Sequence, residues 1–134
     1  MIWYAKNITY DEMIFSQIAE RNCIDNTPKS DEIIDNLSKA ALALQVIRSF
    51  YDKPLIINSG YRCEELNRIV DGSENSHHMT GSAVDFTVPG YSVSQVIEDA
   101  KDLIFFDQLI NAYDKWVHLS ISYFMRGQVL EIKH

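Results

Sequence analysis

The chain is 134 residues long, 46% hydrophobic and 23% charged, with a formal net charge of −7, so one domain around one core is the expectation. The acidic balance excludes nucleic acid as the main partner, because phosphate binding needs a basic surface, and it gives no electrostatic pull toward an anionic membrane. No apolar run approaches the roughly 18 residues of a membrane-spanning helix, and the opening Met1-Ile2-Trp3-Tyr4-Ala5-Lys6 lacks the charged-then-apolar pattern of a signal peptide.

Residues 1–9 read as an extended lead-in. Thr9, with Glu12 three residues on, forms a capping box for a short helix whose apolar face is Met13, Ile14, Ile18 and Ala19. Asn22 to Lys29 is a loop, and Pro28 disfavours helix at Thr27. Ser30 opens the longest helix. Its stripe begins at Ile33 and Ile34 and continues through Leu37, Ala40, Ala41, Leu44, Ile47 and Phe50 at helical spacing. Asp52-Lys53-Pro54 stops that helix, and Leu55 to Ser59 is a short apolar strand closed by Gly60.

A second short helix follows Tyr61-Arg62-Cys63, with Leu66, Ile69 and Val70 inward, and Asp71 to Asn75 is a turn-rich loop. Ala83 to Val88 is a strand ended by Pro89-Gly90. Ser92 to Ile104 is an amphipathic helix with Val93, Val96, Ile97, Ala100 and Ile104 inward. Phe105 to Ile110, Trp116 to Ser122 and Gln128 to Ile132 read as strands separated by short turns. The order gives an α+β fold over residues 1–134, with helices mainly early and a small antiparallel sheet late. Cys23 and Cys63 belong to no CxxC pair and are read as partly buried free thiols.

Chemistry concentrates in Ser76-His77-His78-Met79-Thr80-Gly81-Ser82-Ala83-Val84-Asp85, which holds two of the four histidines. A histidine on a turn and a carboxylate on the next strand can converge on one point, and both are ordinary zinc ligands. A third ligand has a candidate in His118, which shares a strand face with Trp116 and Ser120. The alternative from spacing alone is a solvated polar loop before a strand.

Taken together, Ser59-Gly60-Tyr61-Arg62, Leu66-Asn67, Gly72-Ser73, Ser76-x-His78-x-x-Gly81-x-Ala83-x-Asp85 and Trp116-Val117-His118 form a series. It resembles the zinc D-Ala-D-Ala carboxypeptidase family, which includes D,D-carboxypeptidases, D,D-dipeptidases and phage endolysins and shares a fold with the Hedgehog signalling domain. The resemblance runs from about Ile8 to Ser122. It implies a Hedgehog-like fold with helices packed on a small antiparallel sheet, and zinc held by His78, Asp85 and His118. His77 falls at a variable position and is not a ligand. It further implies substrate binding or polarisation by Arg62 and a supporting role for Ser76, with peptidoglycan stem peptides as the substrate class.

One position departs from the pattern. Several relatives carry a catalytic carboxylate three residues before the last histidine, where this chain has Lys115. Asp114 is the nearest replacement in sequence, with Asp107 farther off. Three readings follow. The first is a monomeric wall peptidase without nucleic-acid or membrane-inserted partners, made in the cytoplasm and acting at the cell wall after lysis or as a virion component. The second is a zinc-containing but non-catalytic binding or structural domain, favoured by Lys115. The third is a metal-free structural domain.

Overall fold

A computed structural model describes residues 3–133; the first two residues of the expected lead-in lie outside it. Five α-helices and a five-stranded sheet are present among the described residues. Helix α3 (Asp31–Tyr51) is the scaffold. Ser30 Oγ accepts from the Ile33 N–H at its start, and Asp31 and Glu32 place negative charge where the helix dipole is positive. Leu37, Ala40, Ala41, Leu44 and Ile47 are buried along one face, as the spacing predicts. Phe50 falls outside that stripe and is exposed.

The sheet runs β1 (Ile56–Ser59), β2 (Ala83–Thr87), β4 (Trp116–Ser120), β3 (Gln108–Ala112), β5 (Gln128–Ile132) in spatial order. Val84 and Phe86 of β2, Leu109 of β3, and Val117 and Leu119 of β4 share the core with α3 and α5 (Val93–Ala100). Side chains alternate across a strand, so Asp85, Ile110 and His118 point to the opposite face. The register places Asp85 opposite His118 and His118 opposite Ile110. A bulge between Ile57 and Ser59 brings Ser59 opposite Asp85.

Several expectations are corrected. The early helix is two helices, α1 (Tyr10–Ile14) and α2 (Gln17–Arg21), because Phe15 is extended and Ser16 caps a new start by accepting from the Ala19 N–H. Ile69, expected inward on α4 (Glu64–Ile69), is 49% exposed. The strand expected from Phe105 begins at Gln108, and Phe105 is exposed.

Three strand pairings are antiparallel, but β5 is parallel to β3. The reason is steric: β2 and β3 already occupy both edges of β4. The reversed chain therefore passes beyond β3 and joins it running the same way. Arg126 anchors that passage by donating from Nε and Nη2 to both carboxylate oxygens of buried Asp107, each at 2.8 Å.

Candidate metal centre

His78 is positioned by the 3₁₀ turn His77–Thr80. Ser76 Oγ accepts from the His78 N–H at 3.2 Å, and the Arg62 N–H donates to the His78 carbonyl at 3.1 Å. Gly81 ends the turn at φ 78°, and a Cβ there would lie 2.6 Å from the Ile33 carbonyl oxygen of α3. Glycine is therefore required twice, for its conformation and for the close approach of the turn to the scaffold helix. Asp85 and His118 come from adjacent strands and need no such device, because direct cross-strand pairing sets them side by side.

These three side chains converge. His118 Nδ1 lies 2.8 Å from Asp85 Oδ1, and His78 Nε2 lies 3.3 Å from Asp85 Oδ2. One ligand atom from each falls within 4.8 Å of the others, and a tetrahedral zinc with bonds of about 2.0–2.2 Å would draw them closer together. His78 Nδ1 is 2.7 Å from the Gly60 carbonyl oxygen. A carbonyl only accepts, so Nδ1 carries the hydrogen and Nε2 presents a lone pair. That nitrogen is buried and has no hydrogen-bond partner. A lone pair facing a carboxylate oxygen at 3.3 Å calls for a cation between them, and the nitrogen, oxygen, nitrogen donor set suits zinc. Burial pushes the Asp85 carboxyl up, but its contact with His118 outweighs that and brings it down to about 2.

The cluster sits at the base of an open cleft of about 470 Å³. Arg62, Ser76, His77, Tyr113 and Trp116 line it. Arg62 is half-buried with its Nε unpartnered; burial lowers its pKa, and the Asp85 charge opposes that shift. A Cβ at Gly72 would collide with Asn67 Oδ1 and press on Arg62 Nη1 at 3.0 Å, so that glycine leaves room for the guanidinium. Tyr113 and Trp116 meet edge to face, 5.7 Å between ring centroids, and form an aromatic wall.

Of the expected site residues, His78, Asp85, His118, Arg62 and Ser76 are brought together, and Asp114 is not. Tyr113 and Asp114 both adopt left-handed φ, 59° and 57°, in a turn closed by the Lys115 N–H donating to the Ala112 carbonyl. The turn directs the Asp114 carboxylate onto Asn111 Nδ2 at 2.8 Å, and Asp114 is exposed and lines no part of the cleft. Lys115 is exposed on the same turn, and Asp107 is engaged by Arg126. Among the described residues, Asp85 is the one carboxylate lining the cleft, and His77 is the remaining lining side chain that is neither in the cluster nor an alcohol, amide or cation among those able to accept a proton.

Several lining residues had escaped the motif reading: Gln108, Ile110 and Ala112 on β3, and Ile132 on β5. The signal for the first three is their two-residue spacing, which matches the Trp116, His118, Ser120 alternation on the neighbouring strand. Ile132 gives no such signal, because its position depends on the parallel pairing. Both cysteines are free, with Cys23 exposed and Cys63 partly buried. No helix among the described residues is long and apolar enough to cross a membrane.

The fold is thus an α+β domain with a His–Asp–His cluster, able to hold a metal ion, in an open cleft. The family model Peptidase M15 matches residues 6–120. The chain belongs to that family, which bears out the resemblance to the zinc D-Ala-D-Ala carboxypeptidases carried by the motif series. Comparison with curated proteins gives no match.

Proposed function

We propose that this protein is a zinc metallopeptidase that hydrolyses peptide bonds in peptidoglycan stem peptides. The observation that carries the reading is the buried, unpartnered Nε2 of His78 facing Asp85 beside His118, within a chain of the peptidase M15 family. His78, Asp85 and His118 would hold the ion. Zinc bound there supplies Lewis-acid polarisation of the scissile carbonyl and acidifies water for attack.

The remaining work belongs to the chain itself. The Gly60 carbonyl fixes the His78 ring, and Asp85 lies against His118 Nδ1 at 2.8 Å. Arg62, unable to lose its proton at neutral pH, holds a substrate carboxylate or the developing oxyanion. Ser76 has two assignments: it caps the turn carrying His78, and it lines the cleft where a peptide would lie. Tyr113 and Trp116 offer a flat apolar wall to the peptide. A role as a phage lysin or virion-associated wall hydrolase is the finer form of the proposal, supported by the endolysins among the proteins it resembles.

A second reading, a zinc-containing binding domain, is favoured by one observation: no carboxylate besides Asp85 lines the cleft among the described residues. Hydrolysis of synthetic stem pentapeptides by zinc-loaded protein, followed by mass spectrometry, separates the two. Fragments formed by wild type and reduced in Arg62→Lys support the peptidase. Intact peptide with measurable binding supports the binding domain.

A further inference from the structure

Among the described residues, the buried side-chain atoms without a hydrogen-bond partner are Arg62 Nε, Asn67 Oδ1, His78 Nε2 and Ser120 Oγ. A cation in the cluster would answer His78 Nε2. Arg62 Nε is a donor and Asn67 Oδ1 an acceptor, and their side chains crowd one point. A Cβ built on Gly72 would lie 2.1 Å from Asn67 Oδ1 and 3.0 Å from Arg62 Nη1. Gly72 is not among the glycines with positive φ, so space rather than backbone conformation calls for glycine there.

Asn67 is buried and held in place. Its Nδ2 donates to the Ser73 carbonyl, its N–H donates to the Cys63 carbonyl, and its own carbonyl accepts from the Gly72 N–H, each at 2.9 Å. The Ser73 bond settles which way the amide faces, since a carbonyl only accepts, and Oδ1 is left toward Arg62. Arg62 is anchored at its backbone, where its N–H donates to the His78 carbonyl, but its buried Nε bonds nothing. A planar fork recognises an anion best when its plane is held. A buried donor and a buried acceptor left open so close together each cost free energy until they pair.

Resting on the reading of Arg62 as the substrate-binding cation, we infer that Asn67 is its positioning residue: with an anion in the cleft on one edge of the guanidinium, Asn67 Oδ1 accepts from another edge and fixes the fork. A neutral amide holds the guanidinium without cancelling its charge. A carboxylate in the same place would form an ion pair with it and compete with the anion.

A double-mutant cycle on the zinc-loaded full chain tests this, read by NMR titration as affinity for a stem pentapeptide, with the Arg62 Nε–H resonance followed in the same spectra. Asn67→Leu removes the acceptor and should weaken binding about tenfold. With Arg62→Lys in place the same change should cost less than about twofold, because a point charge has no plane to hold. Peptide should move the Nε–H resonance in wild type and not in Asn67→Leu. Gly72→Ala, which displaces both side chains from their shared point, should give the same pattern and replaces Asn67→Leu if that variant does not fold. Equal losses in the two backgrounds, the mark of a merely structural asparagine, would overturn the inference, as would an Nε–H resonance that moves equally in wild type and variant. If wild type binds no pentapeptide, the peptidase reading fails, and the same cycle with acetate as the anion decides the inference: the pattern above upholds it, and its absence overturns it.

Discussion

His77 and His78 are neighbours in sequence with opposite surroundings. His78 is fully buried, with Nδ1 on the Gly60 carbonyl and Nε2 facing Asp85. His77 lies at the cleft wall, half-buried. We therefore expect His78→Ala and His118→Ala to lose stoichiometric zinc and His77→Ala to retain it, measured by elemental analysis of the purified variants. Zinc kept at full occupancy by both of the first two would refute the ligand set. Arg62→Lys should retain zinc yet lower kcat/KM on stem peptides by tenfold or more, because an ammonium cannot replace a planar fork (a tenfold loss is about 1.4 kcal/mol). An unchanged kcat/KM would remove Arg62 from the substrate site. The convergence of His78, Asp85 and His118 was legible in the sequence because the motif series runs through all three. The place of Asp114 was not. Asp114 looks close to His118 in sequence, but two consecutive left-handed residues and the Asn111 side chain direct it elsewhere, and no linear spacing shows that.

At the scale of elements, the fold depends on α3 packing beneath β2 and on the return of the chain to β5. Leu44 is fully buried in the α3 stripe. Leu44→Ala should destabilise by about 2–5 kcal/mol, read as a lower urea midpoint with unchanged slope. A loss below about 0.5 kcal/mol would contradict the assigned core. The β5 connection adds a pH-dependent contribution through Asp107. Hydrogen bonds from Arg126 hold the Asp107 carboxyl well below the usual carboxylate range against the opposing effect of burial. A depressed folded-state pKa means the stabilisation is present above the unfolded value of about 3.9 and is lost as pH falls toward the folded value. Urea unfolding should show Asp107→Asn less stable than wild type at pH 7, with the gap narrowing below about pH 4. A gap independent of pH would show that the pair contributes through packing alone. Helical spacing made α3 legible, and alternation located β2 and β4. The α1–α2 break and the parallel β5 were hidden, the first because one serine cap outcompeted a continuous helix and the second because strand order is a property of the whole sheet.

For the molecule as a whole, the cluster joins the turn after α4 to two central strands, so an ion bound there ties together elements distant in sequence. Added zinc should raise Tm by stabilising the fold in proportion to the logarithm of its free concentration, about 2.7 kcal/mol at a hundredfold excess over Kd, and a chelator should reverse the shift. A Tm indifferent to both would place any zinc outside the folded core. The family was readable from residues 59–118, where the motif series is dense, and the α+β class from the order of elements along the chain; Ile132 on the cleft wall was not, since its place there depends on the parallel pairing of β5. The central claim is that zinc and hydrolysis belong to one site. The most direct test adds zinc stepwise to metal-free protein and follows release of stem-peptide fragments by mass spectrometry. We predict that cleavage rises with zinc and saturates at one equivalent per chain. Full occupancy at one equivalent with no cleavage, or cleavage that proceeds undiminished in the metal-free protein, would contradict it.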